Sequence, residues 1–240
     1  MHMKITKIIL IGFLLVACLC GCGQKSALEG KVIDGKAQPL AGVRVVAKQV
    51  KSDNGQFEIT TGADGVFKFE KLAAASEYEL IPYLDANTKS RSIMAESAPA
   101  KQTKKLPQPL PILFIPSPDG LLVRDTTSGL LWLRDAGKVG KMNWDAAMAK
   151  AKQFNYAGFS DWRLPTKVEL RTLAAYGGQI PAETLNKETF TNVQAAGYWT
   201  SDINDANKAF AWAVNMADGK MVNDNKIDFS YHVWMVRAGK

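Results

Sequence analysis

From residue 26 to residue 88 the chain alternates apolar and polar positions in short runs. "VRVVAKQV" sets Val43, Val45 and Ala47 on one face, and "VFKFE" does the same with Phe67 and Phe69. "ALEGKVID", "GQFEITT" and "YELIPYL" read alike, while "GKAQPLAG" and "GADG" carry turn chemistry. Alternation at even spacing, broken by Gly and Asp, predicts a small antiparallel β-sandwich. The pattern lapses over 89–118, where six of the ten prolines fall: Pro99, Pro107, Pro109, Pro111, Pro116 and Pro118. Such a stretch favours an extended spacer, and the 22 residues from Ser97 could reach about 60 Å. The apolar "ILFI", Ile112 to Ile115, argues against a wholly free linker and is expected to dock on a domain as an edge strand.

Beyond residue 119 the periods mix. "LLVRDTTSGLLWL" reads as strand, turn at Thr126–Gly129, strand. "NWDAAMAKAKQF" reads as a helix capped by Asn143, with Trp144, Ala147, Met148, Ala151 and Phe154 on one face. Thr166 and Glu169 have capping-box spacing and open a second helix, with Leu170, Leu173 and Ala174 inward and Gly177 as its stop. "FAWAVNMADGKMV" alternates Phe210, Trp212, Val214 and Met216 before an Asp218-Gly219 hairpin turn, and "YHVWMVRAG" reads as one closing strand. The fold class expected is multidomain: an all-β sandwich over 26–88, a Pro-rich linker over 89–118, and an α+β domain over 119–240.

Composition changes this picture at the N-terminus. "MHMKITK" is basic and "IILIGFLLVACL" is an apolar run of 12 residues, too short to span a bilayer comfortably. All three cysteines, Cys18, Cys20 and Cys22, fall at the end of this run or just after it. The segment resembles a bacterial lipoprotein signal, residues 1–21, with a short anchor at 22–25. Cys22 is the preferred acylated residue, because cleavage there leaves no spare thiol in an oxidising compartment; Cys18 is the alternative. The lack of Asp at the following second position resembles an outer-membrane sorting signal. The net charge of +7 sits mostly outside the predicted domains: from Asp119 on there are 15 Lys/Arg against 13 Asp/Glu. A nucleic-acid partner is therefore not expected. After the leader no cysteine but the anchor remains and His232 is the one histidine, so thiol chemistry, a histidine-rich metal site and most nucleophilic devices lose their residues.

Two resemblances add to this. "GKVID", "QPLAGVRVVA", "TGADGVFKFEKL" and "SEYELIP" cover about 60 residues and resemble the carboxypeptidase-regulatory-like, transthyretin-like sandwich family, whose modules usually act as stalks. "VRDTTSGLLWLRD", "WDAAMAKAKQF", "GFSDWRLPTKVEL", "YWTSD", "AWAVNMADG" and "VRAG" occur in the order that resembles the Lcl C-terminal domain family. That resemblance implies a C-type-lectin-like fold related to formylglycine-generating enzyme, and adhesion at a cell surface with sulfated polysaccharide as ligand. Where many members carry a cysteine pair, this chain has Ala151 and Met235, so a cross-link worth about 2–4 kcal/mol is absent here.

The expected function is non-enzymatic: a lipid-anchored envelope protein, outer-membrane, presenting a lectin-like domain to a polyanionic glycan or a protein. An enzyme on the same fold and a structural partner in an envelope assembly are the alternatives. No catalytic residue and no cofactor is assigned. The Asp- and Asn-rich loops "SDINDANK" and "DGKMVNDNKID" supply the candidate ligand contacts Asp202, Asn204, Asp205, Lys208, Lys220, Asn223 and Lys226. Calcium could use such oxygens, although no EF-hand spacing is present. The six tryptophans are expected in the core. Trp162, Arg163, Leu164, Pro165, Thr166 and Glu169 are read as architecture, with Arg163 paired to Asp161 or Asp125.

Overall fold

The computed structural model describes residues 24–52, 55–85 and 88–239. The leader with Cys18, Cys20 and Cys22 lies outside the described residues. Among them the chain is mostly β, with several sheets and three helices.

The N-terminal half is a two-sheet sandwich. Its strands are β1 (Lys25–Asp34), β2 (Arg44–Gln49), β3 (Gln56–Thr60), β4 (Val66–Ala73), β5 (Glu77–Tyr83), β6 (Ile93–Glu96), β7 (Thr103–Lys105) and β8 (Leu110–Ile112). One sheet runs β4-β1-β7 with β8 also on β1, and the other runs β3-β2-β5-β6. Alternation buries Leu28 and Val32 of β1 against Val45, Ala47, Phe67, Phe69, Tyr78 and Leu80.

The Pro-rich stretch is the first correction. Residues 93–116 are not a spacer but four strands, three of them in the sandwich. Leu110 and Ile112 are buried while Pro111 points outward. The alternation within "LPI" satisfies the sheet, and a parallel ladder on β1 tolerates a residue without an N–H at that position. "ILFI" then docks on both halves. Ile112 ends β8, Phe114 begins β9 (Phe114–Pro116), and Leu113 alone separates them.

The C-terminal half, hereafter the head, holds β10 (Leu122–Asp125), β11 (Leu130–Leu133), β12 (Lys141–Met142), α1 (Trp144–Gln153), α2 (Lys167–Tyr176), α3 (Pro181–Glu188), β13 (Gly197–Ile203), β14 (Phe210–Asn215), β15 (Met221–Asn225), β16 (Tyr231–His232) and β17 (Val236–Ala238). Its sheets run β17-β11-β10-β9 and β12-β16-β13-β14-β15. The closing "YHVWMVRAG" is two strands in two sheets rather than one. Val233, Trp234 and Met235 cross between the sheets through the core, fully buried. Ala151 and Met235, at the positions of the missing cysteine pair, belong to the same buried cluster. Helix α3 has no counterpart in the sequence reading. Pro181 takes its first turn, where a missing N–H costs nothing, yet Pro after Gly177-Gly178 reads as a loop.

Head and sandwich meet closely. The Thr126 hydroxyl donates to Ile112 O (2.8 Å) and accepts the N–H of Gly35 (2.8 Å). Arg91 reaches Glu188 (3.0 Å) and Tyr176 O (3.0 Å), and Arg134 reaches the Thr88 hydroxyl (3.2 Å).

Candidate ligand-binding face

All six tryptophans lie in the head, and four of them use the ring N–H to tie the backbone together. Trp234 donates to Leu133 O (2.8 Å), Trp199 to Met142 O (2.9 Å), and Trp144 to Thr200 O (2.8 Å). Trp162 is shared between Tyr156 O and Phe159 O (3.3 and 3.1 Å). A fifth, Trp132, is buried edge-on against Trp234, with its Nε1 lacking a partner. Trp212 does neither. It is half-buried, its ring N–H makes no hydrogen bond among the described residues, and the Lys167 ammonium lies over the ring, 5.6 Å from its centroid.

The "GFSDWRLPTKVEL" stretch positions that lysine. Pro165 pushes Leu164 into extended backbone, and Thr166 caps α2 by accepting the N–H of Glu169 (3.2 Å). Glu169 answers by accepting the N–H of Thr166 (2.8 Å). It also takes both prongs of Arg163 (2.7 and 2.8 Å), so the expected partners Asp161 and Asp125 are corrected to Glu169. A carboxylate at the third helical position faces back toward the segment that precedes the helix, which brings it to Arg163. Asp161 instead holds Arg237 (2.7 and 3.0 Å), whose guanidinium carbon lies over Phe159, 3.8 Å from the ring centroid. Asp125 turns inward to accept the N–H of Thr127 (2.8 Å). Burial alone would raise the Glu169 carboxyl, but the hydrogen bonds from Arg163 and Thr166 outweigh it and leave it below the usual range.

The loop candidates divide between two ends of β14. At the start of β14, Asp202 accepts the N–H of Lys167 (2.6 Å) and Asn204 donates to Asn223 (3.1 Å). Asp205 pairs with Lys208 (2.5 Å), whose hydrogen bond and charge hold the carboxyl below its usual range. Asn223 stands opposite Trp212 across the ladder. Lys226 lies over Trp144, 5.1 Å from the ring centroid. Lys220 is not with them. It pairs with Asp218 (2.9 Å) in the hairpin turn at the other end of β14, about 17 Å away along a strand rising 3.3 Å per residue. Three neighbours of these candidates were not put forward from the sequence: Lys167, hidden as a helix-start lysine, over Trp212, and Trp144 under Lys226, both rings read as core.

His232 is half-buried. Its ring stacks on Tyr198 (5.0 Å) and Nδ1 is buried without a partner. Burial first, and the charge of Lys141 second, hold the imidazole below its ordinary value, so it is neutral at pH 7. Among the described residues no three His, Cys, Asp or Glu side chains converge as a metal site.

Residues 121–237 match the Lcl C-terminal domain family. The match runs from the start of β10 into β17 and so contains every member of this face. No curated protein matches the chain. Among solved structures, BcpA, the major pilin subunit of Bacillus cereus, is 19% identical, with 37% of this chain and 29% of that one covered, at a TM-score of 0.27. A DUF3823 family protein from Bacteroides ovatus is 11% identical, covering 45% and 62%, with a TM-score of 0.31. One from Parabacteroides merdae is 19% identical, covering 46% and 56%, with a TM-score of 0.30. The chain spans less than two thirds of each, and likenesses this slight carry no function across.

Proposed function

We propose that the chain is a lipid-anchored protein of the bacterial envelope, acylated at Cys22 in the outer membrane. In this reading the head is a lectin-like, non-catalytic binding domain for polyanionic glycans. The supporting observation is Trp212. Four tryptophans are spent on clamping the backbone and one on the core, whereas Trp212 keeps part of its ring exposed with its N–H uncommitted. A sugar ring stacks on such a face, and the ammonium of Lys167, 5.6 Å from the ring centroid, stands beside it for sulfate or carboxylate groups. The Asn204–Asn223 amide pair offers neutral donors and acceptors beside them.

Three of the loop carboxylates are already engaged: Asp202 by a backbone N–H, Asp205 by Lys208, and Asp224 by the Tyr231 hydroxyl. Calcium is accordingly left out of the proposal. The full chain in mild detergent should be retained by immobilised heparin and released as salt rises, as expected when charges are screened. Trp212→Ala should lower the salt concentration at which the chain is released while leaving the unfolding midpoint in place. Undiminished retention by that variant would sink the reading, and retention that requires calcium would overturn the ion-free form of it.

A further inference from the structure

The chain enters the sandwich at Gln24, whose carbonyl accepts the N–H of Ala74 (2.9 Å); Lys25 O accepts the N–H of Lys101 (2.9 Å). These bonds hold the first described residues against the β4–β5 turn and the β6–β7 connection. The N–H of Val50 donates to Glu77 O (3.1 Å) and brings the β2–β3 hairpin to the same end. Lys25, Lys51, Lys71 and Lys101 are all exposed there. None of the four takes part in an ion pair among the described residues, whereas Lys68, Lys104 and Lys105 pair with Glu70, Glu96 and Glu29. Among the exposed acids nearby, Glu70 and Glu96 pair with Lys68 and Lys104, Glu77 stands opposite Glu96 in the β5–β6 ladder, and Val50 is 49% exposed beside the lysines.

We propose that this end of the sandwich docks on the anionic headgroup surface of a membrane leaflet, with lipid phosphates as partners of the four lysines. The inference rests on the lipid-anchor reading, since Cys22 precedes Lys25 by three residues and an acyl chain there would hold the lysines at headgroup depth. Basic side chains are drawn to such a surface within a Debye length, about 10 Å at 0.1 M salt. A lipid on a short tether fixes attachment but not orientation. The lysines supply orientation, directing the opposite end, and the head beyond it, away from the bilayer.

The test uses the chain from position 22 onward with Cys22→Ser, which keeps every described residue and carries no lipid. Vesicles of phosphatidylcholine, alone or in equal parts with phosphatidylglycerol, are the probes. The protein should sediment with the anionic vesicles at about 0.01 M salt, not with the neutral ones, and be released at about 1 M salt. Replacing Lys25, Lys51, Lys71 and Lys101 by Gln should weaken partitioning by at least about tenfold, while Gln at Lys36, Lys150, Lys152 and Lys187 should leave it as in the parent. Equal partitioning of the two variants, or none to anionic vesicles, overturns the proposal. Repeating the series with Trp212→Ala separates the lysine end from the head's ligand face. Acylation itself is read independently, from the mass of the full chain extracted from membranes.

Discussion

The two halves hold themselves together differently. The sandwich has no tryptophan and satisfies its backbone through long ladders, with β1 alone pairing β4, β7 and β8. The head has short strands, several of two to four residues, joined by irregular segments. It adds indole N–H groups that donate to carbonyls of the short strands, at Leu133, Met142 and Thr200, and of the loop after α1, at Tyr156 and Phe159. The difference explains why a run of large aromatic side chains in this family-like segment is mostly architecture. It also explains why one indole left out of that task stands apart.

Breaking the clamps should separate the halves most. Trp234→Ala should destabilise the head by about 3–5 kcal/mol in urea unfolding. Trp234→Phe sharpens the point, because it keeps a ring and strands Leu133 O; a loss of about 1–3 kcal/mol is expected, and a neutral result would mean that the ring, not the donor, does the holding. Thr126→Val removes the hydroxyl shared by Ile112 and Gly35 at the junction. It should cost about 1–3 kcal/mol and split a single thermal transition into two. A smaller effect, about 1 kcal/mol, is expected for Glu169→Gln, through the cap of α2. Because Glu169 titrates lower in the folded state, its contribution is complete above its unfolded value near 4.3 and lost as pH falls through the folded one. The gap between parent and variant should close in acid. Least of all, Tyr231→Phe should blunt the alkaline limb. Burial, then the Asp224 hydrogen bond and charge, push the Tyr231 hydroxyl up to about 12, so its stabilisation is full below about pH 10 and fades as pH rises toward 12.

Alternation was enough to mark the sandwich strands from β1 to β5, and the Thr166/Glu169 spacing marked the start of α2, because both are local signals. The Pro-rich strands were not legible. Proline content argues for a spacer, and only the open edge of β1, contributed by residues some eighty positions earlier, turns Leu110–Ile112 into a strand. Arg163 was misassigned for the same reason, since its partner depends on how α2 leaves Pro165. Composition put the candidate loop residues forward, but it could not tell that Lys220 sits at the far end of β14. Trp212 was hidden by its neighbours: an alternating run marks a face, not whether that face is fully covered.

Leu113 has a mechanical consequence. β8 lies parallel to β1, with Val32 opposite Leu110 and Asp34 opposite Ile112. A pull between Gln24 and the head enters β1 at its beginning and leaves β8 at its end, one residue before β9. Two parallel strands drawn from opposite ends are loaded in shear, so their hydrogen bonds share the force instead of opening one after another. A ladder loaded this way resists extension until the whole of it yields, which suits the proposed role of a binding domain held to a surface by its N-terminus.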